Sequence, residues 1–498
     1  MSAASPPLAG RALHFVGIGG AGMSGLALVA AELGAIVTGS DRADSAYTDK
    51  LRAAGIEPAI GHAAANLPAD AEVVVSTAIP PENPELVAAR AAGARVIHRG
   101  QLLGELTRLK RSIAIAGTHG KTTTCGMVAH VLRATGRDPA FLIGGQLRSA
   151  ATNAAWGAGD WIVAEADESD RSFLELTPDI AVITNIELDH HATYRSLADL
   201  QAAFAQFAAP AHLRIAWEQI DPATFAHDPP TAEAPASIAR AQPGVGDECP
   251  SSDSQAERAL VSHAVPPTPR IETYGIPAGD LQAKSIELRP MGSRFTVDDV
   301  DFSLNVPGEH NVLNALAALA ACRAAGVPLA EAAPAIAGFG GTGRRFEDRG
   351  ATASGARVYD DYAHHPTEVR ATLAAARTLG ARRVVACFQP HLYSRTRELA
   401  REFGRALALA DVVVVVDVYP ARERAEDFPG VSGLLIAEAV ADAAPGRPVW
   451  WLPSLDDAAR MLADRLGADD VLLTLGAGDV DDLATRLTAA AAPLGKRS

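Results

Sequence analysis

The sequence predicts an α/β protein built from three doubly wound domains. Three observations carry this. The chain has 498 residues, which at about 150 residues per domain makes roughly three cores. Apolar residues (48%) against charged ones (21%) give the balance of a globular chain. A third is a recurring theme in which an apolar, β-rich run enters a Gly-rich turn and then a helical pattern.

The theme first appears at residues 13–16, LHFV, turning through 17–22, with a second apolar run IVTGSD. It returns at 113–116, IAIA, followed by 117–121 and the helical pattern TTTCGMVAHVLRATG; the strands WIVAEA and IAVITNI come later. The third instance opens at 384–387 and continues through VVVVV after Asp411 and VLLTL at 471–475. Boundaries near 110 and 340 divide the chain into domains at 1–109, 110–340 and 341–498. From 217 to 270 the chain is rich in Pro, Ser, Asp and Ala with little apolar alternation, the composition of a poorly ordered insertion.

Several classes of function are excluded or disfavoured. Forty-four basic against 59 acidic residues leave a net charge of -15, so there is no basic footprint for nucleic acid. No apolar run approaches the roughly 20 residues of a membrane span. The N-terminus lacks the basic start and apolar core of a signal peptide, and the four cysteines are scattered; both favour a reduced, cytoplasmic setting. Lysine is scarce, with only Lys50, Lys110, Lys121, Lys284 and Lys496.

One of those lysines sits in the strongest motif, Gly117-Thr118-His119-Gly120-Lys121-Thr122-Thr123-Thr124, between a strand and a helix. Such a turn exposes backbone N–H groups to phosphate oxygens, the lysine reaches the outer phosphates, and the Thr122 hydroxyl suits Mg²⁺. The strand WIVAEA ends in Glu165, an oxygen ligand for a hard cation. Asp167, Glu168 and Asp170 behind it read either as further ligands or as a solvated acidic turn. IAVITNI ends in Asn185, Asp189, His190 and His191, at the same carboxyl edge. In the first domain Gly17, Gly19, Gly20 and Gly22 match GxGxxG, with Asp41 about 20 residues on, a fingerprint for a nucleotide diphosphate. Asn311 and Asn314 share one face of an apolar helix, as ligand contacts or, for one of them, as a cap. Arg345 suits a transferring phosphoryl group or a surface ion pair.

GIGGAGMSG, GTHGKTTT, EADESD, TNIELDHH, HNVLNA, GTGRRFE, DDYAHHPTE and QPHLYSRTRE occur in that order over most of the chain, and together they closely resemble the Mur ligases. The resemblance implies a Rossmann-like N-terminal domain for a UDP-sugar, a central P-loop ATPase domain with a parallel sheet, and a C-terminal Rossmann-like domain that closes over both. It implies ATP and Mg²⁺ as cofactors, with Thr122, Glu165 and His190 at the metal, and Asn311, Asn314, Arg345, Asp361, Tyr362 and His364 around ATP. His391 and Arg395 would reach the sugar-linked carboxylate; read without the family, they are a solvated basic loop. The branch with GIGGAGMSG implies an ATP-dependent amide ligase of peptidoglycan precursor synthesis, with UDP-N-acetylmuramate and L-alanine as partners and an acyl-phosphate intermediate, acting as a monomer or homodimer. A murein-tripeptide recycling ligase, an inactive nucleotide-binding paralogue and, from the first glycine motif alone, a nicotinamide oxidoreductase stand as alternatives. The family pattern also calls for further central strands after QAAFAQF, where AHLRIAWEQIDPATFAHDPP reads as a break.

Overall fold

The computed structural model describes residues 6–190, 193–225 and 269–489. The N-terminal sheet is all parallel, with strands in the order Ala59–Ile60, Ile36–Asp41, Ala12–Val16, Glu72–Val75 and Val96–His98. The helix Ala21–Glu32 leaves the glycine turn after Ala12–Val16, the first of the predicted apolar runs, and packs back on this sheet. The central sheet has eight strands, ordered Leu281–Gln282, Arg270–Gly275, Leu213–Trp217, Ile180–Ile183, Arg111–Ala116, Trp161–Glu165, Ala140–Leu147 and Thr152–Ala155, with only the last pair antiparallel. The C-terminal sheet runs Glu347–Ala351, Arg357–Asp361, Asp470–Leu475, Arg383–Phe388, Val412–Val415 and Val449–Trp451, antiparallel only at its first pair. Its central strands are buried along nearly their whole length, as expected of parallel strands covered by helices on both faces.

The central core has two layers. Helices Lys121–Ala134 and Glu309–Ala324 cover one face of the sheet. The other is covered by helix Leu197–Ala208, whose Phe204 and Phe207 close on Phe173 at ring distances of 5.4 and 5.1 Å. A three-stranded antiparallel sheet, Lys284–Arg289, Gly292–Val297 and Val300–Leu304, precedes Glu309–Ala324 and was not marked out by the sequence pattern.

The expected break after QAAFAQF is a strand. Leu213–Trp217 lies parallel between Ile180–Ile183 and Arg270–Gly275, so the sheet is continuous there. The pattern misleads because Arg214 interrupts the apolar run, yet it is buried and donates to the carbonyls of Ala208, Ala209 and Phe225. At the bounds of the 217–270 segment Trp217 ends one strand and Arg270 begins the next, Pro222–Phe225 forms a short helical turn, and 226–268, where most of the expected insertion falls, lie outside the described residues.

Two seams place the domains. Asn153 Nδ2 donates to the Ala21 carbonyl at 2.6 Å, fixing the first helix on the edge of the central sheet. Helix Arg99–Thr107 lies so close to the turn Ser172–Glu175 that a Cβ on Gly104 would collide with the Glu175 carbonyl. On the other side, Gly343 N donates to Gln146 O at 2.9 Å where the chain passes to the C-terminal domain.

Phe207 is 1% exposed at the centre of the second layer. Phe207→Ala is expected to destabilise the central domain by about 3–5 kcal/mol, measured by urea unfolding; a loss below about 1 kcal/mol would show that this layer does not hold the sheet.

Candidate active site

Strands Arg111–Ala116, Trp161–Glu165 and Ile180–Ile183 are neighbours, and their carboxyl ends deliver three loops to one edge. Gly117, at φ 137°, is pressed against the third strand's exit, where a Cβ would meet the Thr184 hydroxyl, and no other residue tolerates that backbone without strain. The exit of that strand braces the 117–121 loop: His119 N donates to Asn185 Oδ1 at 2.9 Å, Asn185 Nδ2 donates to His119 O at 3.0 Å, and Thr118 Oγ1 donates to Glu187 O at 2.9 Å. Gly120 then opens helix Lys121–Ala134, leaving its first N–H groups toward the cavity.

Lys121 Nζ donates to the carbonyls of Gly117 at 2.6 Å and Thr118 at 3.2 Å and to Glu168 Oε1 at 3.0 Å. Burial opposes its charge, but Glu168 and Asp167 outweigh burial and keep it a cation. The acidic run is thus no solvated turn: Glu168 is buried against Lys121, and Asp167 and Asp170 hold Arg99 of the first domain at 2.6 and 3.3 Å. Glu165 accepts from Thr122 Oγ1 at 3.0 Å and from Gly144 N at 2.7 Å. Burial raises its pKa in spite of Lys121. A buried hydroxyl–carboxylate pair, with His190 nearby on the same cavity wall and its Nδ1 shielded without a partner, is a donor set that accepts a small divalent cation.

Two cavities meet at this edge. The larger, about 940 Å³, takes its walls from all three domains: Gly22, Lys50 and Arg99; Lys121, Thr122, Glu165 and His190; and Arg345, Tyr362, His364, His391 and Arg395. The smaller, about 170 Å³, lies behind the loop between Trp217, Tyr274, Asn311, Asn314 and Asp361. Thr118, Gly120 and Lys121 line the first, and His119, Gly120 and Thr123 the second, so the loop borders both.

The C-terminal residues are held in place by their own domain. Asp361 accepts from the backbone N–H of Phe346 and Ala363, both at 2.8 Å, and burial raises its pKa to about 6. Tyr362 lies under Arg345 at 5.2 Å, and Arg345 pairs with Glu368 at 3.5 Å inside the site, not at the surface. Burial keeps His364 and His391 neutral, with pKa values lowered to about 3 and about 2. Arg395 is no solvated loop residue: it is 3% exposed and holds Asp189 through two bonds of 3.1 and 3.0 Å, while His391 Nδ1 faces it at 3.2 Å. Asp189 is therefore committed to Arg395.

Some expected positions do not line the cavities, and others line them in a different role. Of the first glycine motif only Gly22 lines the larger one; Asp41 Oδ2 accepts from Gly19 N at 2.8 Å and braces the turn. Neither Asn311 nor Asn314 is a cap, because Gly308 occupies that position; Asn314 donates to Asn311 at 3.1 Å, which in turn donates to Pro307 O. His191 lies outside the described residues. Sequence reasoning assigned no role to Lys50, Arg99, His365 or Glu368; the last two stand inside DDYAHHPTE, and that motif was the available signal.

His119, Glu187 and His365 bring ligand-type atoms within 4.8 Å of one another across the seam. The arrangement is an ion-pair ladder: burial lowers the His119 pKa, but Glu187 at 3.4 Å and Glu368 at 3.5 Å outweigh it and raise it to about 9, and a protonated imidazole does not ligate metal. Thr367 Oγ1 donates to Glu187 Oε2 at 2.7 Å and extends the ladder. Because folding raises this pKa, the stabilisation is complete below the ordinary histidine value of 6.5 and is lost as pH rises through about 9. The melting temperature of the native chain is expected to exceed that of His119→Asn by a margin that shrinks between pH 6.5 and 9.5; a constant margin would show that no imidazolium bridges the seam.

Comparison with known proteins agrees with this layout. Family models match as "Mur ligase family, catalytic domain" over 12–111, "Mur ligase middle domain" over 115–221 and 251–322, and "Mur ligase, glutamate ligase domain" over 344–478. A UDP-N-acetylmuramate--L-alanine ligase of Streptomyces coelicolor is 43% identical over 95% of this chain and 96% of its own, and one of Acidithiobacillus ferrooxidans is 44% identical over 96% and 97%. Among solved structures, the UDP-N-acetylmuramate-alanine ligase MurC of Thermotoga maritima superposes with a TM-score of 0.76 at 29% identity, covering 96% of this chain and 98% of that one. A murein peptide ligase of Psychrobacter arcticus gives 0.68 at 26% identity over 97% and 99%. With all three domains matched in order and relatives above 40% identity along nearly the whole length, the chain belongs to the Mur ligase family.

Proposed function

We propose that this ATP-dependent ligase of peptidoglycan synthesis joins L-alanine to the lactyl carboxylate of UDP-N-acetylmuramate. The observation that carries the reading is the cavity of about 940 Å³ in which the Lys121 loop faces Gly22 and Lys50 of one domain and His391 and Arg395 of another. A site of that kind receives a nucleotide triphosphate and a second elongated anion together. The curated relatives named above support the choice of both substrates. The reaction belongs in the cytoplasm, where ATP is supplied.

A carboxylate is a poor acyl donor, so the γ-phosphoryl of ATP passes to it first, forming an acyl–oxygen–phosphorus link and releasing ADP. The amine of L-alanine, having lost its ammonium proton, then attacks the acyl carbon; the C–N bond forms and phosphate leaves. Both partners of the first step are anions, so rate comes from placed positive charge and from alignment. Lys121 and Arg345 supply fixed cations that carboxylates already hold in position, which lowers reorganisation during transfer. Mg²⁺, when bound, neutralises phosphate charge, and Thr122, Glu165 and His190 are the residues that would hold it. The ammonium proton leaves to solvent water before the attack, because burial lowers His364 and His391 to pKa values of about 3 and about 2, too weak as bases to take it at neutral pH. The smaller cavity, with Trp217, Tyr274 and Asn311, suits the base of ATP.

ADP and phosphate release is expected only when ATP, UDP-N-acetylmuramate, L-alanine and Mg²⁺ are all present. Glycine, L-serine and the murein tripeptide, offered in place of L-alanine, read out selectivity; faster turnover of the tripeptide would assign a recycling role. Lys121→Ala is expected to lower kcat/KM by more than about a hundredfold, roughly 2.7 kcal/mol of transition-state stabilisation. Activity within tenfold of the native chain would contradict the phosphate role of Lys121.

A further inference from the structure

The cations along the larger cavity mostly face carboxylates. Lys121 has Glu168, Arg99 has Asp167 and Asp170, Arg345 has Glu368, and Arg395 has Asp189. Lys50 is different. It stands on helix Ala46–Ala53 of the N-terminal domain and lines the cavity, and its Nζ is shielded from water with no hydrogen-bond partner among the described residues. The Tyr47 ring, its centroid 5.7 Å away, is a weak substitute. Burial lowers the Lys50 pKa with no carboxylate to offset it. An ammonium left unpartnered is costly to the free protein, and the cost is removed when an anion arrives.

The same cavity is lined by Gly22, in the first turn of helix Ala21–Glu32, a turn without acidic residues, and the glycine turn ahead of it lies against the helix that carries Lys50, a Cβ on Gly19 coming within 2.9 Å of Thr48 Cγ2. Arg99 lies beside Gly22, its Nη1 3.4 Å from where a Gly22 Cβ would lie, while its Nη2 is held by Asp167 and Asp170. A helix N-terminus and a free ammonium on one wall favour a compact anion. The ATP phosphates have their own loop on the central domain, so this wall serves the other substrate.

Resting on the nucleotide-sugar reading above, we propose that Lys50 reads the diphosphate of the acceptor substrate and selects a nucleoside diphosphate over the bare nucleoside. The residue positions the acceptor against the Lys121 loop and takes no part in bond making.

The test is calorimetric titration of the full chain with UDP, with uridine and with ATP, for the native protein, Lys50→Met and Lys50→Arg. The native chain is expected to bind UDP; Lys50→Met, which keeps the apolar stem, weakens UDP by at least about tenfold, the value of one charge-assisted hydrogen bond, while uridine and ATP affinities stay unchanged. Lys50→Arg is expected to keep UDP affinity within about threefold. UDP affinity in Lys50→Met within twofold of native would overturn the assignment while leaving the ligase reading intact. Equal loss of ATP binding would also overturn it, since that marks a general structural defect. Failure of the native chain to bind UDP would overturn the nucleotide-sugar reading and the Lys50 assignment together.

Discussion

Arg395 of the C-terminal domain and Asp189 of the central domain meet through two hydrogen bonds, with both side chains almost wholly removed from water. Burial alone would raise the Asp189 pKa; the guanidinium outweighs it and drives the carboxylate far below its usual range. Removing one member of such a pair strands a buried charge, at a cost of several kcal/mol. The pair therefore fixes how the C-terminal domain sits, and with it everything that domain brings to the cavity: Arg345, Tyr362, His364 and His391. It also fixes the loop ahead of it, because His190, in the left-handed backbone region at φ 54°, is the residue next to Asp189. One interaction thus ties domain seating to the carboxyl edge on which the Lys121 loop is built.

The rest of the site repeats the principle on a smaller scale. Cations lining the cavity are oriented by acidic residues from another part of the chain: Lys121 by Glu168, Arg345 by Glu368, and Arg99 by two aspartates across the first seam. This explains how a chain of net charge -15 can serve two polyanionic substrates. Overall charge governs long-range steering, whereas recognition rests on backbone N–H groups and a few fixed cations in a low-dielectric cavity. The surplus of acid is partly the scaffold that holds those cations still.

Much of this was legible in the sequence, and for identifiable reasons. Gly117, Gly120 and Lys121 are close in the chain and constrained by backbone geometry, so their pattern survives as a string. Glu165 could be placed at the carboxyl edge because it ends an apolar strand, and His190 because it lies in the loop that follows one. What could not be read were pairings set by tertiary packing: Asp189 with Arg395, His119 between Glu187 and Glu368, and Lys50 facing a cavity that all three domains build. Leu213–Trp217 was misread because an arginine stood where a buried strand should be apolar, and only the fold shows the three carbonyls that receive it. The short antiparallel sheet before Glu309–Ala324 was missed since its outward residues alternate weakly.

The central claim is that the cavity is assembled by the Asp189–Arg395 pair. A double-mutant cycle with Asp189→Asn and Arg395→Gln, read as kcat/KM for ATP-dependent ligation, tests it most directly. The account predicts strong coupling, with the double mutant no slower than the slower single mutant and an interaction energy above about 1 kcal/mol. Losses that add to within about 0.5 kcal/mol would show that the two residues act independently and that the seating of the C-terminal domain rests elsewhere.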